Sequence, residues 1–273
     1  MDNRKHIHHY GRHFGFSYPT SLWQRLYSIF LPLFFLAALF AVLKFFSIFP
    51  FVPVSEISFA SVAGALSATF LRLLIAYALA LVVSIPLALA VVKNALLERL
   101  LLPLFDIVQS VPVLAFFPVV IIFFIRVGFV NGAAIFIIFL SMLWNIVFSL
   151  VGGLKVIPND IKSAAHVFGI KGGAFTRRVL LPATVPYLVT GSLLAWAQGW
   201  NIIIVAEVLH TYIPGGTAGQ DLFGIGSMLV NAASSGQNWA FIYAVLAMVG
   251  VIALMNFFIW QKLLHYAERF KFE

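Results

Sequence analysis

The chain has 273 residues, 62% of them hydrophobic and 10% charged, where soluble domains run at about 45–50% and about 25%. With a mean hydropathy of +1.03 it has too little polar surface for a water-soluble fold, and an all-α integral membrane protein is expected. Zero cysteines exclude disulfides and thiolate metal sites, and a net charge of +8 requires either a polyanionic partner or a topological cause.

Residues 1–25 are polar and aromatic, without the apolar core and small-residue cleavage site of a signal peptide. They read as a cytoplasmic tail. His6, His8, His9 and His13 cluster there and belong to its surface rather than to a metal site. Residues 26–273 then form one transmembrane domain. Six stretches approach the roughly 20 apolar residues that a bilayer demands: 26–49, 70–92, 111–128, 133–154, 187–209 and 241–263. The third is interrupted by Pro112 and Pro118, and Pro103, Asp106 and Gln109 precede it, so 96–110 reads as an interfacial or broken helix.

With both termini in the cytoplasm, all but three of the 17 Lys and Arg residues fall inside. Only Lys44, Arg72 and Arg126 lie near the outer side, the asymmetry expected of a multi-pass protein of the cell membrane. Topology therefore accounts for the charge, and no soluble basic face suited to nucleic acid remains.

The cytoplasmic loop 155–186 is the most informative segment. It reads as two short helices meeting at Gly169. Ile161, Ala164, Ala165 and Phe168 fall at helical spacing and give one small, apolar face. Gly169, Gly172 and Gly173 permit a bend, and Pro182 and Pro186 end the second helix before the next span. Held out of the bilayer by Lys162, Lys171, Arg177 and Arg178, such a loop suits a groove on another protein. The alternative is an amphipathic helix lying on anionic headgroups of membrane lipid.

The spacing Ala164-Ala165, Gly169 and Val179-Leu180-Leu181-Pro182 resembles the E-A-A-x3-G-x9-I-x-L-P signature of binding-protein-dependent ABC importer permeases. Ser163 stands where that family usually has Glu, and Val179 where it has Ile. The segments 67–89, 199–207, 223–226 and 256–270 are similar to its nitrate, sulfonate, taurine and bicarbonate branch. The resemblance implies a type I importer fold and a second permease, as homodimer or heterodimer. It also implies cytoplasmic ABC ATPase subunits on the loop and an extracytoplasmic substrate-binding protein that delivers a small anion. Asp160, Ile161, Ser163, Ala164, Ala165, Phe168, Gly169 and Lys171 are the docking residues it implies. Residues 50–66, 127–132 and 210–240 form the outer surface. The last is long enough to be functional or partly re-entrant, and a binding protein would land there.

No chemistry of its own is expected. The chain has no G-x4-G-K-[ST] phosphate loop, no H-E-x-x-H pair and no G-x-S-x-G elbow, so neither catalytic residue nor cofactor is expected and ATP hydrolysis falls to a partner. Polar residues inside the spans are the pathway candidates: Asn145, Ser149, Gln198, Asn201 and Glu207. They line a passage or hold helices together by hydrogen bonds. Gln198, Asn201 and Glu207 drift around their helix and need not share a face. Arg72 reads as snorkelling to the interface, with Glu207 or an anion as alternative partners. A self-sufficient, ion-coupled transporter or channel using Glu207, Arg72 and Asp106 is the competing class.

Overall fold

The structure, a computed structural model, describes residues 59–270. The chain divides into two units, 1–51 and 52–273. The expected span at 26–49, the tail and its histidines lie outside the described residues. Within them the fold is helical. Four helices are long and apolar enough to cross a membrane, or five crossings if one bent pair counts as a span.

Helix α1 covers Phe59–Lys93, starting eleven residues before the expected span. Of its added turns (FASVAGALSAT), residues 59–66 belong to the expected outer surface. Their small side chains instead allow close packing, with Gly64 beside the Phe223 ring. Helices α2 (Ala95–Ser110) and α3 (Val113–Arg126) meet at an angle of 85°. Asn94 caps α2 through bonds from the Leu96 and Leu97 amides. Pro112, without an N–H and with φ fixed, stops α2 and starts α3. The span expected at 111–128 is instead the second arm of a bent helix pair over 95–126, which crosses as a broken span or turns back as a re-entrant segment.

Helix α4 is Asn131–Lys155, and α5 is Asn159–Val167. A short turn, α6 (Gly172–Phe175), passes through a π turn at Thr176–Leu180 into α7 (Leu181–Glu207). Contrary to expectation, Pro182 and Pro186 end nothing. The wide turn, in which the Leu181 amide bonds to Thr176 O, carries the chain past Pro182, and Gly172–Glu207 runs as one apolar helix. Helix α8 (Ile225–Ser234) lies inside the segment expected as a loop, with Ile225, Leu229 and Ala232 buried. Helix α9 (Asn238–Met255), a second π turn at Asn256–Trp260 and α10 (Gln261–Ala267) follow.

The core is the seam of α1, α4 and α7. Lipid tails are as apolar as leucine, so close packing rather than exclusion of water holds such helices together. Small residues on α7 make the approach possible. A β-carbon on Gly191 would stand 2.7 Å from Ser149 Cβ and 3.1 Å from Asn145 O, and one on Gly199 would press on Leu73 at 2.8 Å. Ala195 between them is fully buried. Gly191→Val is expected to lower the stability of the detergent-solubilised protein by about 1–3 kcal/mol. Gly152→Ala, where a β-carbon meets open space, should leave the thermal unfolding midpoint unchanged.

Candidate functional site

The loop at the basic end is built from α5, α6 and the π turn. Helix α5 closes with a Schellman arrangement: the Ile170 amide bonds to Ala165 O and the Gly169 amide to His166 O. Gly169 adopts φ +70°, the left-handed value that this closure needs and that a β-carbon resists. Ala165 is 6% exposed, and Ile161 packs on the core. These two seat the helix on its own chain, Ala165 buried and Ile161 half-buried.

The outward face is instead Asp160, Ser163, Ala164, Val167 and Phe168, with Lys171 exposed beyond the bend. Val167 at 85% and Phe168 at 80% exposure form an apolar knob at the helix end. The sequence reading missed Val167, although it stands beside Phe168 and three residues after Ala164. Two polar contacts tie this end of the bundle together. Lys93 Nζ donates to Thr176 Oγ1 at 2.7 Å, and Lys155 Nζ lies 2.7 Å from Glu98 Oε1.

At the opposite end, Glu207 and Arg72 form a buried pair. Arg72 Nη1 donates to Glu207 Oε1 at 2.7 Å, with Arg72 8% exposed and Glu207 wholly buried. Thr69 Oγ1 donates to the same oxygen at 2.6 Å, and the Gly226 amide donates to Oε2 at 2.8 Å. Arg72 Nε donates to Asn131 Oδ1 and Nη2 to Phe223 O, both at 2.9 Å. The Ile225 amide donates to Thr69 Oγ1 at 2.9 Å. One carboxylate and one guanidinium thus fasten the segment Leu222–Ser227 to α1, α4 and α7.

Gly224 and Gly226 are required there, because a β-carbon on either would collide with the Glu207 carboxylate. Arg72 therefore does not snorkel. Its charge is met by Glu207, one of the two alternative partners expected, and the cost of a lone intramembrane charge disappears. Beside this cluster Asp221 Oδ1 accepts the Leu209 and His210 amides at 2.8 and 3.0 Å, and His210 Nδ1 lies 2.8 Å from Asp221 Oδ2. The segment after α7 is held to its end by these bonds.

The remaining pathway candidates separate into two sets. Asn145 donates to Ser141 O at 3.2 Å, and Ser149 faces Gly191 across the α4–α7 seam. Gln198 and Asn201 are exposed. With Thr190, Leu194, Ala197 and Ile204 they form one open face of α7, at spacings of three and four, away from α4. Glu207 points elsewhere, into the buried cluster.

Removing one member of a buried pair strands the other charge. Glu207→Ala is expected to cost about 3–5 kcal/mol of stability, read as a lower unfolding midpoint in detergent. The double variant Arg72→Met/Glu207→Leu should lose clearly less.

Comparison with known proteins bears on both ends of the bundle. Residues 80–265 match the family described as binding-protein-dependent transport system inner membrane component. The chain is 33% identical over 190 residues to the nitrate import permease protein NrtB of Leptolyngbya laminosa, covering 70% of this chain and 63% of that protein. It is 30% identical to the bicarbonate transport system permease protein CmpB of Synechococcus elongatus, over 54% of this chain and 52% of that one. With the taurine transport system permease protein TauC of Escherichia coli the figures are 26%, 53% and 51%. The matched region spans only about half to 63% of these relatives' lengths. In fold, a chain of the MetNI methionine ABC transporter, in an inward-facing form, superimposes with a TM-score of 0.66 at 18% identity, over 78% of this chain and 99% of that chain. Across two-thirds of its length, residues 80–265, which include the bent helix pair, the basic loop and Glu207, this chain belongs to the family of inner membrane components of binding-protein-dependent transport systems.

Proposed function

We propose that the chain is the permease subunit of an ATP-driven importer. It forms half of a passage with a second permease, receives solute from an extracytoplasmic binding protein and is driven by separate cytoplasmic ATPases. The observation that carries this reading is the loop. Helix α5 is seated by Ile161 and Ala165, sharply ended at Gly169, and presents Val167 and Phe168 to solvent. An apolar knob at the end of a short helix that also exposes Asp160, Ser163 and Ala164, with Lys171 beyond the bend, suits a docking contact, and the acidic Asp160 is poorly suited to anionic headgroups. The positive-inside count supports a cytoplasmic face for this end.

ATP-driven closure of the ATPases would push α5, and the continuous helix from Gly172 to Glu207 would carry the movement through the bilayer. The open face of α7, with Gln198 and Asn201, would line the passage, while Asn145 and Ser149 serve the seam. The ion-coupled alternative loses its main support, because Arg72 and Glu207 neutralise each other. The relatives' printed names give nitrate, bicarbonate and taurine. The solute is accordingly a small one bearing an anionic group.

Purification in mild detergent from native membranes should recover an ABC ATPase at near one-to-one ratio. Val167→Asp/Phe168→Asp should abolish that recovery without lowering the permease's unfolding midpoint. Recovery unchanged by these substitutions would remove α5 as the docking element. Gly169→Val, forced into a left-handed backbone, should cut ATP-driven uptake in vesicles at least about tenfold, the effect of roughly 1.4 kcal/mol on the coupled step. Uptake at the normal rate would contradict coupling through the bend.

A further inference from the structure

The break between α2 and α3 carries an acidic residue that neither the buried ion pair nor the loop employs. Asp106 is the twelfth residue of α2, about 16 Å along a helix that starts at the basic end. Its neighbour Phe105 packs its ring 5.5 Å from that of Trp144, close to the middle of α4. Asp106 therefore sits near mid-depth of a core about 30 Å thick. It is exposed, as are Gln109 and Ser110, and it makes no ion pair among the described residues.

The cluster is ordered by its own bonds: Gln109 Nε2 donates to Asp106 Oδ1 at 2.9 Å, and Ser110 Oγ donates to Asp106 O at 2.7 Å. Helix α2 also exposes an apolar stripe, Leu96, Leu100, Leu104 and Ile107. At 100° per residue Asp106 lies roughly a third of a turn from the centre of that stripe, and Gln109 about half a turn. The helix thus has two outward faces of opposite character. The apolar one suits lipid tails or a protein contact. The polar one does not, since a carboxylate at this depth turns to water or to protein.

We propose that Asp106, with Gln109 and Ser110, lines the water-filled passage at mid-depth and makes it attractive to a cationic group on the solute. This rests on the permease reading and sharpens its substrate class. The partial charges at the end of α2 and the start of α3 are of opposite sign and lie two residues apart, so they largely offset. The full charge of Asp106 therefore sets the local potential. The charges buried among the described residues, Arg72 and Glu207, cancel each other. A solute with an ammonium beside its anionic group is favoured at the bend over a simple inorganic anion.

The chain has no cysteine, so single cysteines can be placed without background from this chain, and labelling is read on its own band after the subunits are separated. Gln109→Cys and Leu100→Cys would be reacted, in the assembled complex in nanodiscs, with two membrane-impermeant thiosulfonates, one carrying trimethylammonium and one carrying sulfonate. Gln109→Cys should react at least about tenfold faster than Leu100→Cys. Its cation-to-anion rate ratio should fall at least about fivefold when Asp106→Asn is added, the scale of one nearby charge at intermediate dielectric. Asp106→Glu should preserve the ratio, which separates loss of charge from a disturbed bend. Equal, slow labelling at both positions would overturn the proposal by showing the polar face covered. An unchanged ratio in Asp106→Asn would overturn it by showing the charge already compensated. Labelling reports water at the bend however transport is driven. Failure of the ATPase to copurify would sink the importer reading and leave this result standing.

Discussion

A charge placed between membrane-spanning helices must be compensated inside the protein, and Arg72 and Glu207 meet that demand with each other. The remaining valences of the pair then organise one end of the molecule. Arg72 reaches Asn131 at the start of α4 and the Phe223 carbonyl, while Glu207 holds Thr69 and the Gly226 amide. Three helices and one irregular segment are thereby fixed by a single salt bridge. Irregular backbone at membrane depth is tolerated only where protein satisfies its polar groups. The first-turn amides of a helix likewise need partners from outside it, and Thr69 and Glu207 supply them for Ile225 and Gly226 at the start of α8.

The opposite end is built on another logic. There the contacts are exposed and single, Lys93 to Thr176 and Lys155 to Glu98, and such pairs contribute little stability each. What is fixed is geometry: a helix ended by Gly169 and joined through a π turn to the longest crossing. A clamped end and a lightly tethered end joined by one continuous helix suit a lever. The seam of α7 with α4 and α1, where glycines meet Ser149 and Leu73, gives that lever a close-packed bearing surface.

Much of this was legible in the sequence. The apolar runs predicted membrane crossings, the prolines around 103–118 predicted an interruption there, and 163–182 pointed to the loop. The stretch 96–110, expected as an interfacial or broken helix, is itself continuous, and the break falls at Pro112. Helix ends were less legible, for identifiable reasons. Pro182 and Pro186 read as breakers because a π turn leaves no mark in composition. Residues 59–66 read as surface because small residues such as Gly64 pack closely only against Phe223. The partners of Arg72 lie 59 to 151 residues away, beyond any local pattern, though Gly224 and Gly226 hint at close approach. On α5, periodicity identified an apolar face but could not tell whether the chain's own core would claim it. Ile161 and Ala165 turned inward, and Val167 with Phe168 remained outside.

The central claim is that one end is a rigid clamp and the other a movable contact, linked by α7. Hydrogen exchange on the assembled complex, with and without ATP, tests it most directly. The account predicts slow exchange at the Ile225 and Gly226 amides in both states, with ATP changing exchange across residues 159–180. Fast exchange at Ile225 and Gly226, or a loop indifferent to ATP, would contradict it.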